Sequence, residues 1–272
     1  MMRCRIIFVL SLAILCMFVI PVSATTGGPD AFGYTFIDSN SGGPAYNWIE
    51  ISGTGTQILA SSDDSTVIIP LDFDFNYYGT DYSQLNISTN GLIFTENSYF
   101  LNQPIGNSPS AHGFIAPYWD DLVTVDPADA IYYQTLGNAP NRMFVVEWKD
   151  NWHYQSSTSG ITFEAILHEG SNNIKFQYLD VDFGTVSGAI PRDLPPYNNG
   201  GSATVGIENQ IGDDGLQYSY NSPVINPNLA ILFKYPAGSI PSIPEFPLLA
   251  LPAAMIIGFL GAVLLIQRTR EH

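Results

Sequence analysis

Between positions 25 and 243 the chain never sustains a 3.6-residue apolar period. It breaks instead into short runs rich in Val, Ile, Phe, Tyr and Thr, punctuated by glycine and proline. Strands are expected at residues 46–51, 66–71, 85–88, 92–95, 131–135, 143–148, 161–168, 174–179, 204–208, 216–220 and 229–235. Several alternate cleanly, as in Ile161-Thr162-Phe163-Glu164-Ala165-Ile166-Leu167. Asn90-Gly91 and Asp214-Gly215 are dipeptides suited to tight type I′ hairpin turns, and 169–173 reads as a longer polar turn. Such a series of hairpins predicts an all-β fold, an antiparallel β-sandwich forming one large domain over residues 25–235. No internal repeat and no second core is visible.

Charge and cysteine narrow the function classes. The middle holds only Arg142, Lys149, Lys175, Arg192 and Lys234 as bases, whereas every acid except Glu245 and Glu271 lies there. It is therefore more acidic than the formal −16 of the whole chain. A surface of that sign repels phosphate backbones, which excludes nucleic acid as a partner, and it can attract divalent cations. The two cysteines, Cys4 and Cys16, both fall in the N-terminal block, so the middle has no disulfide, thiolate or Cys-based zinc chemistry.

The two ends read as addresses. Residues 1–24 have the plan of a secretory signal peptide: Arg3 and Arg5, an apolar stretch over 6–20, then Val22-Ser23-Ala24 with cleavage expected after Ala24. An N-terminal membrane anchor is the alternative. At the other end, residues 246–266 carry no charge and have the length of a membrane-spanning helix. The basic tail 267–272 follows, with Arg268 and Arg270 holding the cytoplasmic side and the middle domain outside. A Pro/Ser/Gly linker over 236–245 separates domain from span.

The order Pro244-Glu245-Phe246, apolar span, then basic cluster resembles the PEF-CTERM sorting signal of archaeal surface proteins. That resemblance implies a membrane-embedded archaeosortase, a transpeptidase that cuts near the tripeptide and passes the protein to a lipid anchor. An ordinary permanent single-pass anchor is the alternative. Both place the domain at the cell surface.

A second resemblance covers most of residues 32–235. Its pieces, in order, are Leu71-Asp72-Phe73-Asp74-Phe75-Asn76-Tyr77-Tyr78-Gly79, Asn86-Ile87-Ser88-Thr89-Asn90-Gly91-Leu92, Pro117-Tyr118-Trp119-Asp120, Phe144-Val145-Val146-Glu147-Trp148 and Ala203-Thr204-Val205-Gly206-Ile207-Glu208. The pattern is similar to a β module of secreted bacterial and archaeal proteins and, more distantly, to the nidogen-type extracellular domain. It implies a non-catalytic interaction or structural module with an extracellular ligand, protein or glycan. The animal domain carries its acid later in the Pro-Tyr-Trp motif, whereas Asp120 and Asp121 are adjacent here, so no metal role is carried over.

His168-Glu169 opens like a zincin helix, but no second histidine follows at the required spacing. Ser110 and His112 lack a Gly-x-Ser-x-Gly elbow. Glu147 and Glu164 are the pair a glycosidase would need, with Trp119, Trp148, Trp152 and Tyr118 as stacking surfaces; the plainer reading makes them outward positions of alternating strands. Asp120, Asp121, Asp126 and Asp129 are the candidate ligands for a hard cation such as calcium, though they lack the EF-hand order. The plainer reading is that Asp121 or Asp126 accepts hydrogen bonds from turn amides. Asn86-Ile87-Ser88 is the glycosylation sequon, placed in an expected strand.

Overall fold

The computed structural model describes residues 25–94, 99–106, 112–155, 159–184 and 197–237. The first strands are β1 (Thr26–Gly27), β2 (Thr35–Asp38), β3 (Thr56–Ile58), β4 (Thr66–Tyr77), β5 (Thr80–Ser88) and β6 (Ile93–Phe94). The middle of the chain supplies β7 (Phe114–Trp119), β8 (Leu122–Val123), β9 (Ala130–Leu136), β10 (Met143–His153), β11 (Ile161–His168) and β12 (Ile174–Asp180). The last three are β13 (Thr204–Glu208), β14 (Gly215–Tyr220) and β15 (Ala230–Lys234).

They form two sheets in which every pairing between described strands is antiparallel. A nine-stranded sheet runs β1-β2-β15-β12-β11-β10-β9-β3, with β8 added on β10, and a six-stranded sheet runs β14-β13-β7-β6-β5-β4. The alternation expected from the sequence supplies the layer between them. Ile69, Phe75, Ile87, Ile115, Val205 and Ile207 come from one sheet and Val146, Trp148, Phe163, Phe176, Tyr178 and Phe233 from the other, all in one buried cluster. Each buried aromatic removes about 150–250 Å² from water, which gives a cysteine-free core its cohesion.

The outer faces are also partly covered. Residues 44–55 cross the nine-stranded sheet and bury Ile51 against Val145 and Ile166. Residues 99–106 cross the six-stranded sheet, where Tyr99 and Ile105 pack on Leu92, Phe114, Ala116 and Trp119. β7 is therefore buried at every position rather than alternating.

Three sequence expectations change. Residues 46–51, read as a strand, form no strand; their amides point down at side chains of the sheet they cross. Asn90-Gly91 and Asp214-Gly215 are not type I′ turns, because Asn90, Asp214 and Gly215 all keep negative φ. Gly91 does take φ +67° and is needed for closeness, since a Cβ there would lie 1.9 Å from the Tyr118 carbonyl oxygen. The β13–β14 turn is organised instead by Asn209, whose Oδ1 accepts from the amides of Gly212, Asp213 and Asp214.

No helix among the described residues is long and apolar enough to cross a membrane. Ala24 and residues 238–272, including Pro244, Glu245, Phe246, Arg268 and Arg270, lie outside the described residues.

Candidate binding site

β10 changes partner along its length. Its first part pairs with β9 and β11, while Trp152 and His153 pair with Val123 and Leu122 of β8. A register shift between Trp148 and Asn151, with Asp150 at φ +52°, makes the switch. Bulges of this kind re-aim side chains. Here the bulge brings His153 to the Asp120-Asp121 corner that follows β7 (Phe114–Trp119).

Around that corner lies a pocket of about 210 Å³ lined by Phe100, Leu101, Asn102, Asp120, Asp121, His153, Gln155, Tyr197, Ser202 and Asn221. Its floor is a fixed polar network. Asp120 Oδ1 accepts from the Asp121 amide at 3.0 Å and lies 3.5 Å from His153 Nε2; Oδ2 accepts from Ser202 Oγ at 2.5 Å. His153 Nδ1 accepts the Gln155 amide at 3.1 Å, which leaves Nε2 facing the carboxylate. The Tyr197 ring packs on the imidazole at 3.8 Å, and its hydroxyl donates to Gln155 Oε1. Asn102 Nδ2 donates to Asn221 Oδ1 and to the Ser202 carbonyl.

Serine, histidine and aspartate thus meet, but in an order unsuited to hydrolysis. Ser202 gives its proton to the carboxylate rather than to the imidazole, whereas an activated serine needs the histidine as its base. The arrangement suits holding a ligand.

The four aspartates proposed as cation ligands divide. Asp120 serves the pocket floor. Asp126 Oδ1 accepts the amides of Ala128 and Asp129 at 2.6 and 3.3 Å, the turn role that was its plainer reading. Asp129 is buried in the same turn, and burial, with Asp126 and Asp150 nearby, raises its carboxyl above the ordinary range. Asp121 instead converges with Asp63 and Asp64, their carboxylate oxygens within 4.8 Å of one another. Those three could share a hard cation, although calcium takes six to eight oxygens and Asp64 Oδ1 already accepts from Asn90 Nδ2. Burial first, then repulsion from Asp64, Asp63 and Asp120 against attraction to His153, pushes Asp121 up to about 6. Asp63 and Asp64 carried no signal at sequence level; they reach Asp121 only because the 59–65 turn folds against β8, Thr124 Oγ1 donating to the Leu59 carbonyl.

Glu147 and Glu164 flank no cleft. Both are fully buried on the outer face of the nine-stranded sheet, cross-strand neighbours beneath the crossing segment. Ile51 N donates to Glu147 Oε2 at 3.0 Å and Ile49 N to Glu164 Oε1 at 3.3 Å. They are outward positions, as the plainer reading had it, yet sealed from water. Of the aromatics proposed for sugar stacking, Trp119, Trp148 and Tyr118 are buried and only Trp152 is partly open. His168 ends β11, and Glu169 is committed to Arg142 at 2.6 Å. Asn86 lies within β5, flanked by β4 and β6, and is half-buried.

Two further grooves, of about 410 and 590 Å³, are more open. Asp214 accepts the amides of Ala31 and Phe32 in the first, and Arg142 pairs with Glu169 in the second.

A two-sheet sandwich with a pocket at a loop corner defines an all-β sandwich module. The sequence profile of the family described as "NIDO related" matches residues 33–237, and the chain belongs to that family. Nidogen of Drosophila melanogaster is 24% identical over 216 residues, covering 68% of this chain and 15% of the fly protein. The chain therefore corresponds to a small part of that relative. No solved structure matches.

Proposed function

We propose that this protein is an exported cell-surface protein, tethered at its C-terminus by a membrane span or a lipid, that displays a non-catalytic nidogen-like binding module. One observation carries the reading: the NIDO-related match over 33–237 is flanked by two charge-free apolar blocks, each with arginines on its far side. Membership in a nidogen-related family and a cysteine-free acidic body support an extracellular, non-enzymatic role. The pocket network, whose serine is bound to a carboxylate rather than to a base, supports binding over hydrolysis. Tethering would hold many copies near one surface, where weak contacts gain avidity. An archaeosortase-type transpeptidase acting near Pro244-Glu245-Phe246 is the proposed processing partner.

The test is protease shaving of intact cells with intact mass of the membrane-extracted protein. The expected result is a domain cleaved from outside and a chain starting after Ala24. A mass ending near Glu245 plus lipid marks sorting, and a mass retaining the span marks a plain anchor. Protection from external protease with an uncut N-terminus overturns the proposal.

A further inference from the structure

We infer that the pocket beside Asp121 takes an uncharged, hydroxyl-rich ring, the terminal sugar of a glycan. This rests on the binding reading above and names its ligand class. Among the described residues, several wall groups keep unspent bonding capacity, and three of them bear on the choice of ligand. They are the Asp121 carboxylate, Gln155 Nε2 and Asn221 Nδ2; the amide oxygens of Gln155 and Asn221 are already occupied by Tyr197 and Asn102. One anionic acceptor beside two amide donors is the set a pair of neighbouring hydroxyls satisfies, since each hydroxyl both donates and accepts. Phe100, 47% exposed, and Leu101, 66% exposed, stand at the same wall and offer apolar surface to the carbon–hydrogen face of a sugar ring.

Other ligand classes fit less well. Among the described residues no lysine or arginine lines the pocket, so a phosphate, sulfate or uronate would meet Asp120 and Asp121, with Asp63 and Asp64 close behind, and no compensating charge from those residues. An ammonium or guanidinium group would leave both amide donors facing a donor. A bare metal ion would find the Asp120 oxygens already bonded and no use for the apolar wall. The volume, about 210 Å³, is below the roughly 300–1,000 Å³ of drug-sized sites and suits one ring rather than a long segment.

The experiment is a glycan array probed with the full-length chain, followed by titration of the best glycan into Phe100→Ala and Asn221→Asp variants. Asn221→Asp keeps the oxygen that Asn102 uses and replaces the amide donor by a second, anionic carboxylate oxygen. Glycans ending in neutral sugars should be retained and those ending in uronate or sulfate should not, with retention persisting in EDTA. Each variant should weaken the best glycan about tenfold at an unchanged melting temperature, the size of one lost hydrogen bond or stacking contact. Equal retention of acidic glycans, loss of retention in EDTA, variants that bind like the parent, or an empty array each overturn the inference. An empty array from a protein that external protease still removes from cells leaves the surface-module reading standing, so the two failures are separable.

Discussion

Glu147 and Glu164 face one another across adjacent strands, both fully buried, each accepting an amide hydrogen from the segment that crosses above them. The same row continues to Gln177, which bonds Asn47 through both its amide atoms and donates a short hydrogen bond to Glu164 Oε1. Residues 47, 49 and 51 thus present their amides in turn to outward-facing side chains of successive strands. Glu208 repeats the device on the other sheet, its Oε1 accepting the Gly106 amide at 2.6 Å. In Glu147, Glu164 and Glu208 the second carboxyl oxygen is buried without a partner among the described residues, which favours the neutral acid.

These acids make stability depend on pH. Burial outweighs the opposing hydrogen bonds and pushes Glu147 up to about 7, Glu164 to about 8 and Glu208 to about 7. A glutamic acid with a raised native value binds its proton more tightly when folded. Its contribution is therefore complete below the ordinary 4.5 and is lost as pH rises through 7 to 8. Melting temperature from these groups should fall across that window. Glu164→Gln, which keeps the accepting oxygen, should flatten the fall; a parent and variant with the same slope would count against this account.

The crossing segment should open locally before the sandwich unfolds. Ile51 anchors it against Val145 and Ile166. Ile51→Ala should cost about 2–4 kcal/mol, read by urea denaturation. Hydrogen exchange should quicken first at the amides of Asn47, Ile49 and Ile51, and unchanged protection there would contradict the anchoring role.

Gly91→Ala should be among the most damaging single-methyl changes. It places a Cβ 1.9 Å from the Tyr118 carbonyl at φ +67°, where the β5–β6 turn meets the end of β7. The expected loss is about 2–4 kcal/mol, and a variant as stable as the parent would show that this approach is not tight.

Arg142 ties the far corner. Its guanidinium holds Glu169 through two hydrogen bonds of 2.6 and 2.9 Å, donates to the Asp72 carbonyl, and lies 5.4 Å over the Phe73 ring on the opposite sheet. The hydrogen bonds from Arg142 hold Glu169 down to about 2. That contribution is present above the ordinary 4.5 and disappears as pH falls towards 2, opposite in sign to the buried acids. Arg142→Lys should lower the melting temperature at pH 7 and abolish the added loss on acidification, measured as a difference between two pH scans.

Local signals located most strands. Residues 161–168 and 204–208 fold with the bounds read from their alternation, because each has one face on the central core. The same signal misplaced 46–51: Ile49 and Ile51 alternate like a strand, but their amides bond side chains rather than a neighbouring backbone. Residues 35–38 and 114–119 escaped the strand reading, and β7 does not alternate because residues 99–106 cover its outer face. Within the pocket, Asp120 and Asp121 stood out in their motif. Tyr197, Ser202 and Asn221 had no local signal, being separated from Asp120 by long stretches of chain.

Residue pattern alone established the antiparallel β class and the acidic, cysteine-free character of the middle, since periodicity and charge are properties of neighbouring positions. Which acids would meet was set by the bulge in β10, the 59–65 turn and the two crossing segments. These sent Asp121 towards Asp63 and Asp64, brought His153 to Asp120, and sealed Glu147 and Glu164 from water. The physical reason is that contact across a sandwich depends on strand pairing between distant segments, which spacing along the chain does not encode.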